Sequence, residues 1–211
     1  MVVKLPRWAP GQKIGLLGGS FNPAHRGHLL ISQLALQRLR LDSLWWLVTP
    51  GNPLKETAGL PELSTRIAAA RALVDKPRIA VTGFEAQIGA RFTYDTISWL
   101  VRRAPGVHFI WIMGADNLQQ FHRWRHWRDI ARLVPIAVID RPGSTLRAAT
   151  SHAGATLSRY RAAERDAGRF ALMRPPAFLF LHGPRSPLSS TALRGGARTG
   201  KSPLSGRPAT M

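Results

Sequence analysis

The unit spanning residues 14–36 constrains this fold most. An apolar run at 14–17 is followed by the turn Gly18-Gly19-Ser20-Phe21-Asn22-Pro23-Ala24-His25-Arg26-Gly27-His28. Apolar positions at helical spacing then occupy 29–36. A short apolar run ending in glycine reads as a buried strand, and the periodic segment after the turn reads as a helix. Further short apolar runs lie at 44–48, 79–81, 107–113, 136–139 and 177–181. Helical patterns separate them at 62–74, 96–103 and 124–133, and the Ala-rich stretch 145–166 is expected to form one more helix. Strands alternating with helices predict an α/β fold, a Rossmann-like doubly wound parallel sheet with right-handed crossovers. Ligands of such sheets bind beyond the carboxyl ends of the strands, which is where residues 18–28 fall. A chain of 211 residues accommodates this as one domain.

A glycine-rich turn between strand and helix directs backbone N–H groups and the positive helix end at an anion, most often phosphate. His25 and His28, three apart at the helix start, share one face. Imidazoles there can donate hydrogen bonds to a phosphoryl group as its charge shifts during transfer. Later in the sequence, Pro187-Leu188-Ser189-Ser190-Thr191-Ala192-Leu193-Arg194 sets hydroxyls before a helix, with an arginine one turn on. Those hydroxyls either cap the helix or join Arg194 in gripping phosphates.

The net charge of +19 raises the expectation of an anionic partner, either nucleic acid or a phosphorylated small molecule. The arginines are scattered, however, and no block of five like charges occurs. Most of the excess therefore reads as a solvated basic surface, with salt-sensitive incidental adhesion to nucleic acid and no specific nucleic-acid site. With 45% hydrophobic and 19% charged residues, the composition is that of a folded globular domain. No apolar run approaches the ~20 residues of a membrane span. The absence of cysteine excludes disulfides and thiolate metal sites, and the cytoplasm is the expected compartment.

The string from Gly18 to His28 resembles the HxGH signature of the nucleotidylyltransferase superfamily, with Gly19, Phe21 and Pro23 in the expected places before His25, Gly27 and His28. Ser190, Thr191 and Arg194 resemble its second signature, Ser-Thr-x-x-Arg. Three segments between them narrow the resemblance to nicotinate-nucleotide adenylyltransferases. Thr93 and Thr96 match a Thr-x-x-Thr segment, Gly114 and Asp116 a Gly-x-Asp segment, and Trp124 stands where the family stacks a tryptophan on the pyridine ring. A cationic pyridinium is well held against an indole face. Trp127 is better suited to packing within its helix. The loop Thr49-Pro50-Gly51-Asn52-Pro53-Leu54-Lys55 resembles the family's loop after the second strand, where Lys55 either meets phosphates or is an exposed loop lysine. There are departures at Asn22, where an acidic residue is common, and at Arg125, where many relatives carry an aromatic.

The resemblance implies transfer of the adenylyl group of ATP to nicotinate mononucleotide, giving deamido-NAD and pyrophosphate. It implies catalytic roles for His25, His28 and Arg194, and ATP binding by Gly18, Gly19, Ser20 and Phe21 together with Ser190 and Thr191. Thr93, Thr96, Asp116, Trp124, Arg125 and Lys55 would face the mononucleotide. Mg²⁺ would be bound mainly through the ATP phosphates. The alternatives are another phosphorylated acceptor, such as nicotinamide mononucleotide or phosphopantetheine, and a basic nucleic-acid-binding protein on the same fold. The Thr93, Asp116 and Trp124 segments weigh against phosphopantetheine, and the histidine pair with its phosphate motif weighs against the binding protein. The expected organisation is a leader at 1–12, a nucleotidylyltransferase domain at 13–194 and a basic tail at 195–211 that reads as disordered. Self-association is left open.

Overall fold

The computed structural model describes residues 5–51, 59–139 and 145–183. Its strands are β1 (Lys13–Gly19), β2 (Ser43–Val48), β3 (Ile79–Thr82), β4 (His108–Gly114), β5 (Ile136–Ile139) and β6 (Phe178–Leu181). They form one sheet in the order β3-β2-β1-β4-β5-β6, and every neighbouring pair is parallel. This is the doubly wound Rossmann-like arrangement, whose winding direction reverses between β1 and β4 and opens a crevice at their carboxyl ends. Parallel strands are covered on both faces and so read as continuous apolar runs. That is why all six expected strands are found within a residue or two of their sequence limits.

Helices α1 (Arg26–Arg38) and α2 (Leu63–Leu73) cover one face, setting Ile31, Ala35, Ile67 and Ala70 against the side of the sheet that carries Trp46, Val48 and Ile112. Five helices cover the other: α3 (Thr93–Arg103), α4 (Ala115–Phe121), α5 (Trp127–Leu133), α6 (Thr145–Ala149) and α7 (His152–Leu157). There Ile97, Leu118, Phe121 and Ile130 pack with Trp45, Phe109 and Trp111. The described part of the expected leader is bound to this domain. Leu5 and Trp8 pack against the core, the Gly11 amide donates to the Gly106 carbonyl at 2.8 Å, and the His108 amide donates to the Gln12 carbonyl at 2.8 Å.

Three helical expectations need correction. Stretch 145–166 is not one helix but α6, α7 and two 3-10 segments, Ser158–Tyr160 and Glu164–Leu172. The Ser151 hydroxyl starts α7 by accepting from the Gly154 amide at 3.1 Å. At Gly154 a Cβ would fall 2.2 Å from the Ala148 carbonyl oxygen, so glycine lets the new helix press onto the end of the old one. Stretch 124–133 is helical only in α5, because His126 is left-handed (φ 55) and Trp124 lies in the turn before it. Helix α3 begins at Thr93 rather than Thr96, since Asp95 Oδ2 accepts from the Phe92 amide at 3.2 Å and fixes the first turn. Among the described residues no helix is long and apolar enough to cross a membrane.

Candidate active site

Gly18 and Gly19 end β1, in register with Leu47 and Val48 of β2. A Cβ on Gly18 would stand 2.5 Å from the Trp111 ring, so glycine is required for the β4 indole to lie against the backbone here. The chain then turns sharply through Phe21, whose φ of 47 is unusual for a residue with a side chain. Its ring compensates by burial: Phe21 is 2% exposed, stacked on Trp46 with centroids 4.9 Å apart and tilted against His28 at 4.7 Å. Trp46 in turn donates from Nε1 to Ser32 Oγ at 2.8 Å, which ties α1 to β2.

The two histidines build the start of α1. His25 Nδ1 accepts from the Gly27 amide at 3.1 Å, and His28 Nδ1 accepts from the His25 amide at 3.2 Å. Each imidazole thus supplies the acceptor that a serine or aspartate usually provides at a helix start. In the neutral form of either ring the proton then resides on Nε2, making that nitrogen the donor. The rings lie 3.9 Å apart between centroids, and His25 is 6% exposed.

Across the crevice, β4 ends at Gly114 and Asp116 sits exposed in the first turn of α4. The turn after α4 carries Trp124, partly buried, with its indole edge-on to Trp111 at 6.0 Å and to Phe121 at 5.3 Å. Two contacts hold this turn beside the start of α3. The Arg125 guanidinium lies 4.9 Å over the Phe92 ring, and His126 lies 4.8 Å from Tyr94. Thr93, Trp124 and Arg125 are therefore brought together, and Trp127 is a core residue at 7% exposure. Thr96 is placed differently from expectation. It is 1% exposed and its hydroxyl donates to Glu85 Oε1 at 2.8 Å, so direct contact with a mononucleotide has no surface to act through. Lys55, Ser190, Thr191 and Arg194, with the tail 195–211, lie outside the described residues.

Two charged residues that sequence reasoning passed over lie beneath this rim. Glu85, in the 3-10 turn Phe84–Ala86 after β3, is 7% exposed. Burial pushes its carboxyl up to about 7, against hydrogen bonds from Thr96 and Thr49 that favour the carboxylate. The Thr49 hydroxyl also bonds the Gly51 carbonyl at 2.8 Å. A hydroxyl has one proton, so the set closes best with Glu85 protonated. Glu85 then donates to Thr49, which donates to Gly51, while Thr96 donates to Glu85. Arg66 on α2 is 3% exposed, and burial lowers its guanidinium below the usual range. It donates to four backbone carbonyls, those of Ser20, Thr49, Pro50 and Pro61. Neither residue announces itself in the sequence, because nothing local marks a charged helix or turn position as buried.

A glycine turn and histidine-capped helix at the reversal of a 3-2-1-4-5-6 parallel sheet define a nucleotide-handling α/β protein, and the cytidylyltransferase-like family profile matches residues 16–196. Curated relatives bearing the name nicotinate-nucleotide adenylyltransferase are 61% identical over 182 residues in Methylorubrum extorquens, covering 86% of this chain and 98% of the relative. One from Agrobacterium fabrum is 56% identical over 181 residues, covering 86% and 97%. The chain belongs to the nicotinate-nucleotide adenylyltransferase family within the cytidylyltransferase-like proteins. The solved Plasmodium falciparum nicotinic acid mononucleotide adenylyltransferase complexed with APC superposes with a TM-score of 0.64 at 16% identity, over 87% of this chain and 83% of that one. The same enzyme complexed with NaAD gives 0.63 at 17% identity over the same shares. These two comparisons share the fold.

Proposed function

We propose that this chain transfers the adenylyl group of ATP to nicotinate mononucleotide, releasing pyrophosphate and forming deamido-NAD. The observation that carries the reading is the pair of histidines whose Nδ1 atoms are bound by backbone amides at the β1–β4 crevice. That arrangement leaves Nε2–H as the donor on each ring. A phosphate oxygen of the mononucleotide attacks the α-phosphorus of ATP in line. The new P–O bond forms as the bond to the bridging oxygen breaks, and that oxygen leaves with pyrophosphate. Catalysis is positioning together with stabilisation of charge on the phosphoryl oxygens.

We assign His25 and His28 to that charge and the Gly18–Ser20–Phe21 backbone, with Gly19, to ATP. Ser190, Thr191 and Arg194 are assigned to the leaving pyrophosphate. Thr93, Asp116, Trp124 and Arg125 are assigned to the mononucleotide, with Lys55 at its phosphate and Thr96 acting through Glu85. Among the described residues no group of three or more His, Asp or Glu could cage a metal. Mg²⁺ carried on the triphosphate supplies charge neutralisation at phosphate oxygens when bound. On this reading residues 13–194 are the catalytic unit, the tail 195–211 stands outside it, and the enzyme works in the cytoplasm.

Nicotinate presents a carboxylate where nicotinamide presents an amide. Backbone donors around Thr93 and Arg125 can bond both carboxylate oxygens, while an amide NH₂ would face a donor unpaired. Each mismatch is worth ~1–3 kcal/mol, so nicotinate mononucleotide is expected to be favoured by roughly a hundredfold in kcat/KM. Pyrophosphate release from ATP, measured with nicotinate mononucleotide, nicotinamide mononucleotide and phosphopantetheine, tests this. Equal kcat/KM for acid and amide overturns the acceptor assignment. Release with no acceptor overturns the whole reading.

A further inference from the structure

The four carbonyls that Arg66 holds come from three separate segments. Nη1 donates to Ser20 O at 2.9 Å and to Thr49 O at 2.8 Å, Nη2 to Pro50 O at 3.2 Å, and Nε to Pro61 O at 2.8 Å. One nitrogen therefore joins the turn after β1 to the loop after β2, and the same planar group anchors both to the start of α2. The Thr49 amide adds a second tie, donating to Gly19 O at 3.0 Å.

In a trans peptide the carbonyl oxygen and the following N–H point in opposite directions. By drawing the Ser20 and Pro50 carbonyls inward, Arg66 turns the Phe21 and Gly51 N–H groups away from α2. Phe21 lies in the turn assigned to ATP, and Gly51 lies in the loop that leads to Lys55. A guanidinium is suited to this because its donors form a rigid planar fork, whereas an ammonium offers its protons from one point.

We propose that Arg66 is a positioning residue that locks the ATP turn and residues 49–51 after β2 into one unit, so that nucleotide bound at the first orders the second. The inference rests on the adenylyltransferase reading for which ligand enters each segment, and the experiment separates the two.

Hydrogen exchange is followed in the full chain with ATP and Mg²⁺ and no acceptor. Peptides covering 18–22 and 45–51 should both gain protection. Protection at 18–22 alone overturns the coupling, and protection at neither overturns the ATP-site assignment instead. In Arg66→Lys, which keeps the charge but not the fork, the gain at 18–22 should persist and that at 45–51 should fall away. Its kcat should drop by ~10–100-fold, the scale expected for sub-ångström to ångström misplacement of reactants, and the KM for mononucleotide should rise. Leu157→Ala, a core truncation in α7 on the opposite face of the sheet, is the control for lost stability and should keep kcat per folded molecule. An Arg66→Lys chain with wild-type kcat and KM refutes the proposal, as does an equal loss of kcat in Leu157→Ala. If Arg66→Lys does not fold, the wild-type exchange pattern still decides between coupled and independent loops.

Discussion

Glu85 makes the stability of this protein depend on pH in a direction opposite to that of most carboxylates. Burial raises its folded-state pKa from 4.5 to about 7, so the native chain holds this proton where the unfolded chain has already released it. Between those two values the native state binds more protons, and stability falls as pH rises through the window. The contribution is fully present below about 4.5 and lost above about 7. A gap of about 2.5 in pKa, at ~1.4 kcal/mol for each tenfold, amounts to ~3 kcal/mol over the whole window, most of it between pH 5 and pH 8. Glu85→Gln cannot ionise, and its amide can still accept from Thr96 and donate to Thr49. The variant should match or fall slightly below the parent at pH 5. It should exceed the parent by up to ~3 kcal/mol at pH 8, or several degrees in thermal midpoint for a chain of this size. Urea unfolding of both chains at pH 5, 6, 7 and 8 gives the difference directly, with other titrating groups cancelling. A difference that stays constant across the four values would show that Glu85 is ionised in the native state throughout, and the protonated network would be wrong.

Two further outcomes follow from the site. His28→Asn places an amide oxygen near the former Nδ1 and so preserves the helix cap while removing the Nε2 donor. Its unfolding free energy should stay within ~0.5 kcal/mol of the parent, the scale of a retained cap, while single-turnover rate falls at least ~100-fold. Near-normal turnover would leave His28 with a capping role alone. Trp124→Ala should raise KM for the mononucleotide by about tenfold, the value of one cation–π contact, and leave KM for ATP unchanged. Steady-state kinetics with each substrate varied in turn decides it, and a change confined to ATP would relocate the pyridine site.

The strands were legible because each is buried on both faces and so announces itself as an apolar run between polar segments. Ile136 to Ile139 is the clearest case, with all four residues buried. The histidine turn was legible because its spacing is local. Helix α4 escaped notice because its seven residues offer only Ala115, Leu118 and Phe121 as buried positions, too few to show a period. The broken 145–166 stretch was missed because its break depends on how closely Gly154 meets the Ala148 carbonyl, a contact between turns rather than a pattern within one. Arg66 and Glu85 were invisible for a related reason. What buries them is contributed by segments far away in sequence, and Thr96 reads as a mononucleotide contact until its partner at Glu85 is known.

Because all six strands are parallel, every described residue assigned to chemistry lies on one rim of the sheet, and among the described residues the other rim is idle. The loop between α2 and β3 runs along that idle rim, with Asp75 and Lys76 side chains 69% and 48% exposed. It is separated from the rim that carries Glu85 by the length of a four-residue strand, about 13 Å. Fluorophores, affinity handles or inserted peptides can therefore be attached at 75–76 without obstructing the crevice. A reporter placed there would rotate with the sheet itself and give a fixed reference against which movement of the opposite loops can be measured.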